Sequence, residues 1–108
     1  MPAEAAVEVL AALAEPMRWR LLALLSAEAQ SASALSRTLP VSRTAVQKHL
    51  AVLERSDLVR RTRVGREIRY AVHTEPLTSI GRWMAEVAAV WDTRLAALKR
   101  LAEDVGDR

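Results

Sequence analysis

Cysteine is absent from the 108 residues, and so is phenylalanine. The first absence excludes a disulfide framework, a thiolate metal site and thiol-based redox sensing together. With one Tyr and three Trp, any core must be built mainly from aliphatic side chains. Three glycines and four prolines leave little material for turns, while Ala and Leu are plentiful, so helices should carry most of the fold. No apolar run approaches the roughly 18 residues of a membrane-spanning helix. The opening stretch MPAEAAVEVLAALAE carries Glu4, Glu8 and Glu15 and no basic residue, so it does not read as an export signal. A cytoplasmic protein with no membrane partner is expected, and the length suits one domain, 1–108.

Charge is present but unevenly placed. The net charge is +3, and residues 37–70 hold nine basic groups against three acidic ones. The segments on either side are each slightly negative. A positive middle third is the footprint expected of a module that meets a polyanion there, although a solvated basic face has the same composition.

Periodicity divides the chain into elements. Ala6, Val7, Leu10 and Leu13 recur at helical spacing and predict a first amphipathic helix over about 3–13. Pro16 suits a first turn, so a second helix should run to about Leu25 with Met17, Leu21, Leu24 and Leu25 inward. Ser33 is a candidate cap for a short third helix ending near Leu39, which Pro40 interrupts. Ser42 then caps a fourth helix from Arg43 to Arg55. Two short helices joined by a tight turn, over 33–55, form a helix-turn-helix.

On the fourth helix, at about 100° per residue, Val46, Leu50 and Leu53 share the inward face. Arg43, Thr44, Gln47 and Lys48 lie opposite, in the turns that reach base edges in a major groove. Gln47 suits adenine and Arg43 guanine, while Ser42, Thr44 and Lys48 suit bases or phosphates. His49 sits on the flank, where a packed imidazole bonded to backbone and a phosphate contact both remain open.

From Leu58 the period becomes strand-like. LVRRTRV and REIRYAV flank Gly65, which predicts a two-stranded hairpin over 58–72 with arginines near its tip. Alternation lets only some of them face DNA, and Arg61, Arg63 and Arg66 are favoured. His73, at the end of this hairpin, is expected to be structural or solvated, with no acid pattern near either histidine. A last helix spans about 77–105, with Thr74 as its cap. Its stripe of Ile80, Met84, Val87, Trp91, Arg94, Leu98, Leu101 and Val105 is spaced four and three, apolar at all but Arg94. So large a greasy surface on so small a protein, with Val7 and Leu10 of the first helix, predicts a two-fold dimer interface. The fold class expected is mostly α with a small β-hairpin: a winged helix-turn-helix of about five helices and a two-stranded wing.

The segment ALAEPMRWRLLALL, followed by ASALSRTLPVSRTAVQKHLAVLERSDLVRRTRVGREIRYAV, resembles the ArsR/SmtB family of bacterial winged-helix repressors over roughly residues 10–72. Its most specific part runs from Ser42 to Glu54. The resemblance implies a homodimer that binds operator DNA through the helix matched by Ser42–Arg55 and dimerises through its first and last helices. VWDTRLAALKRL, in the last helix, is similar to the subgroup lacking metal sites, which includes autorepressors. The departures agree with that. Metal-sensing members carry cysteines in the helix matched by Ser31–Ser36, and others use histidines on the last helix. This chain has neither, and carboxylates alone make a poor zinc site. No metal or cofactor is therefore expected, and any small-molecule effector is left unidentified. Trp83 and Trp91 are candidates to line an effector pocket between protomers, although interface packing is the simpler role.

No nucleophile-elbow, dinucleotide-binding or P-loop spacing occurs, so an enzyme is not expected. The rival class is a winged-helix docking module that reads no DNA. The polar face of residues 43–55 and the wing arginines argue against it, because docking does not require them.

Overall fold

The computed structural model describes residues 2–106; Met1, Asp107 and Arg108, at the ends of the expected 1–108 domain, lie outside the described residues. Five helices and three short strands follow one another: α1 (Ala3–Leu13), α2 (Pro16–Ala27), β1 (Gln30–Ser31), α3 (Ala32–Thr38), α4 (Arg43–Arg55), β2 (Val59–Val64), β3 (Glu67–Val72) and α5 (Glu75–Gly106).

Helix starts follow local chemistry. The Glu15 carboxylate accepts from the Arg18 backbone N–H at 2.9 Å, and Pro16 occupies the first turn of α2, where its missing donor costs nothing. The Ser42 hydroxyl accepts from the Ala45 N–H at 3.1 Å and starts α4 where the sequence indicates. The cap of α3 is Ser31 rather than the expected Ser33. Ser31 Oγ accepts from the Ala34 N–H, while the Ser33 carbonyl receives the Ser36 hydroxyl. The reason is tertiary: Gln30 and Ser31 pair with Tyr70 and Arg69, so the chain is already extended at 31, as a cap residue must be.

The expected two-stranded wing is present as β2 and β3, and that pairing adds a third strand beside it. The sheet has three antiparallel strands in the order β1-β3-β2. β2 and β3 run in unbroken register from Val59↔Val72 to Val64↔Glu67. This leaves Gly65 and Arg66 as the two turn residues. Gly65 has φ +64°, open to glycine at low cost and matched to the strand twist.

The core is one cluster contributed by every helix. Leu21, Leu35, Val46, Leu50, Leu53 and Leu58 are fully buried, joined by Val59 and by Ile80 of α5. The inward face of α4 is the expected one. On α2, Leu22 is buried while Met17 and Leu24 are half-buried; on α1 the small Ala6 and Ala12 flank Val9 inside, and Val7 turns outward. Ile80, expected at the dimer interface, is only 5% exposed and belongs to this protomer core. α5 enters the core there and leaves it. Beyond Trp83 every described residue of the helix except Ala97 is exposed. The radius of gyration, 19.9 Å, reflects this overhang, since a compact chain of this length has about 13 Å.

Candidate nucleic-acid interface

α4 presents its polar face because its apolar one is consumed by the core. Ser42, Arg43, Thr44, Gln47 and Lys48 are all exposed in its first two turns. No acid occurs in the first turn, so the positive end of the helix dipole is unopposed there. Beside it stands the wing. Residues opposite one another in a ladder share a face, so Arg61 with Tyr70 and Arg63 with Ile68 lie on the same side of the hairpin as the buried Val59.

Between helix and wing is a cleft of about 360 Å³, which Arg43 and Gln47 enter from α4 and Arg61, Arg66 and Tyr70 from the wing. Ser31 and Ser33 close it from the start of α3. Four of the sequence-selected residues thus meet in one place. Ser42, Thr44 and Lys48 lie on the same exposed helix, outside the lining of the cleft, and Arg63 sits at the wing tip with its Nε donating to the Gly65 carbonyl at 3.2 Å. Sequence reasoning did not select Ser31, Ser33 or Tyr70, whose place depends on β1 joining the sheet.

Ion pairs sort the wing arginines. Arg60 is held by Asp57 at 3.3 Å, Arg69 by Glu67 at 3.0 Å, and Arg61 by Glu54 of α4 at 3.1 Å. Arg63 and Arg66 have no carboxylate partner among the described residues, so their charge is the most available to an anion. Arg61 has a second effect: its pair with Glu54 links the wing to α4.

The histidines have partners within the fold: His73 takes the structural role expected of it, and His49 packs, with a carboxylate rather than a backbone group beside it. His49, included among the DNA-contacting residues, is half-buried and turned toward α2. Its Nδ1 lies 3.6 Å from the Glu15 carboxylate, so it ties α4 to α2. Two residues on from Gln47 is about 200° around the helix, which accounts for the turn away. Partial burial works against the Glu15 charge. The backbone amides of Arg18 and Met17, with the charges of His49 and Arg18, outweigh it and hold the carboxyl below its usual value.

His73 fastens the base of the wing. Its Nδ1 lies 2.9 Å from the Asp57 carbonyl and 3.2 Å from that residue's carboxylate, while Nε2 is 3.7 Å from Glu75. A carbonyl can only accept, so Nδ1 carries the proton. Asp57 adopts φ +58°, a left-handed turn that Asp tolerates better than most residues. A hydrogen bond from Arg60 is the main cause that lowers its carboxyl's pKa, opposed by some burial and aided by His73. Both histidines therefore do have acidic neighbours: His49 in the sequence-remote Glu15, and His73 in the sequence-remote Asp57 and in Glu75 two positions on. No hydroxyl bonds either imidazole among the described residues, and no group of three or more His, Asp or Glu there is placed to hold a metal ion. None of the described helices is long and apolar enough to cross a membrane.

Residues 13–62 match the family model of a helix-turn-helix domain. An ArsR-like transcriptional regulator from Rhodococcus sp. RHA1 is 43% identical over 92% of this chain and 93% of its own, with a TM-score of 0.84. NolR from Sinorhizobium fredii is 27% identical over 82% of this chain and 86% of its own, at a TM-score of 0.64. A homodimeric winged helix-turn-helix DNA-binding domain from Mycobacterium bovis, described as a possible ArsR-family regulator, is 26% identical. It covers 82% of this chain and 80% of its own, also at 0.64. No curated protein matches.

Proposed function

Because the chain belongs to the ArsR family of transcriptional regulators, and is thus a DNA-binding regulator and not an enzyme, we propose that it is a cytoplasmic homodimeric repressor of an inverted-repeat operator. The observation that carries this reading is the convergence of Arg43 and Gln47 with Arg61 and Arg66 on one cleft. Two copies of α4 enter successive major grooves about 34–36 Å apart. Gln47 and Arg43 read base edges, while Ser42, Thr44, Lys48, Arg63 and Arg66 supply phosphate contacts that set register and most of the affinity. Dimerisation uses α1 and the exposed stripe of α5, with Val7, Leu10, Met84, Val87, Trp91 and Leu98 in the interface. The homodimeric relative from Mycobacterium bovis supports this part. Repression follows from occupying promoter DNA. A small-molecule effector, where one acts, must bind the DNA-competent and DNA-incompetent states with different affinity.

Fluorescence anisotropy tests the proposal, using labelled DNA from upstream of the protein's own gene, a scrambled duplex of equal length and two salt concentrations. Saturable binding, a steep salt slope and a large preference for the upstream fragment are expected. Equal weak binding to both duplexes removes the specific-operator reading for that fragment. No binding to either at low salt favours a docking module instead.

A further inference from the structure

The exposed part of α5 has a stricter pattern than burial requires. Met84, Val87, Trp91, Arg94, Leu98, Leu101 and Val105 alternate by three and four, the seam positions of a coiled coil over three heptads. Ala88, Val90, Leu95, Ala97 and Ala102 flank them, small or apolar side chains that let a second helix approach. Leu98 and Leu101 remain 60% and 62% exposed, so none of the described residues covers the seam. One seam residue is charged. The Arg94 guanidinium lies 5.2 Å from the centre of its own Trp91 ring, and it has no carboxylate partner among the described residues.

Resting on the homodimer reading above, we propose that Arg94 and Trp91 form a lock that sets the direction and register in which α5 pairs with α5 of a second copy. The pair is antiparallel, with Trp91 facing the partner's Arg94 and its symmetry mate. Met84 then meets the partner's Leu101, and Val87 meets the partner's Leu98. A parallel pair would place Arg94 against the partner's Arg94, two cations in a seam that excludes water. The antiparallel pair gives each cation an aromatic face on both helices. Sliding by one heptad in either direction puts Arg94 against the partner's Leu98 or the partner's Met84 and shortens the seam.

Charge outside the seam agrees with this register. Glu86 comes within one residue, about 1.5 Å, of level with the partner's Arg100 on the same side of the pair. So does spacing. The two-fold axis falls between Asp92 and Thr93, about 19 Å along the helix from Ile80, where α5 is anchored in its own core. The two anchors are then about 38 Å apart along the paired helices, near one turn of DNA.

Thiol cross-linking tests the lock, because the chain brings no cysteine of its own. The double variant Val87→Cys/Leu98→Cys should give a covalent dimer with a short bifunctional maleimide. Either single variant alone should give at least about tenfold less, since each thiol lies about 16 Å along the seam from its own mate. Arg94→Leu should keep the dimeric mass and add cross-linking of Val87→Cys to itself. A dimer in which Val87→Cys alone cross-links as well as the pair, or in which Arg94→Leu leaves the pattern unchanged, overturns the lock and leaves the homodimer intact. A monomeric mass for the unsubstituted chain by light scattering overturns the homodimer reading and the register with it.

Discussion

The two ends of this molecule are built from the same apolar residues and use them in opposite ways. In the winged-helix head, Leu21, Leu35, Leu50 and Leu53 vanish into a closed core. Along α5 after Trp83, Leu95, Leu98, Leu101 and Val105 stay in solvent. Both ends are amphipathic helix; only in the head do other elements fold back to cover the stripe. The head's core is therefore closed within one chain, whereas no described element covers the overhang. In water a lone helix of that length is marginal without a packed face.

The largest break in this comparison should come from the head. Leu50→Ala removes a fully buried side chain and leaves a cavity between α4 and its neighbours. A loss of about 2–5 kcal/mol is expected, seen as a lower midpoint in urea than the parent's at the same protein concentration. Leu98→Glu addresses the other end. The head should keep its fold by circular dichroism while the mass falls to that of a monomer, and operator affinity should drop about 100-fold as two linked half-site contacts become one.

Substitutions at the interface refine the contrast within the head. Gln47→Ala should cost about 1–3 kcal/mol of discrimination between operator and scramble. Arg66→Ala should weaken both duplexes alike and reduce the salt slope by about one unit. Anisotropy titrations over a salt series separate the two.

The smallest effect expected is on pH. The folded chain holds the proton on Asp57 less tightly than the unfolded chain does. The stabilisation is then complete above the ordinary carboxylate range near pH ~4 and is lost as pH falls through the depressed folded value. Asp57→Asn keeps a residue that tolerates φ +58° and removes the titration. The gap in melting temperature between parent and variant should therefore close on going from pH 6 to 3.

What the sequence made legible was local. The bounds of α4, its Ser42 cap and the Val46/Leu50/Leu53 face follow from spacing alone, and Gly65 marked the hairpin turn. What it concealed was decided across the chain. β1 has two residues and no alternation to detect, and its pairing with β3 moves the α3 cap from Ser33 to Ser31. Ile80 continues the spacing of the α5 stripe, yet it lies where the helix still touches the head, so it is buried in its own protomer. His49 was ambiguous for the same reason, since the carboxylate that claims it stands thirty-four positions earlier, at Glu15.

Ser31 is the last residue of one strand and the cap of the next helix. It pairs with Arg69 across the sheet while its hydroxyl holds the Ala34 amide. A displacement of β3 that drags β1 with it thus pulls on the first turn of α3, and through the tight turn at Pro40 on α4. The wing and α4 share a joint made of backbone and caps, so a shift of the hairpin is felt at the start of α4 through these links as well as through the packing of Ala32 and Leu35 in the core.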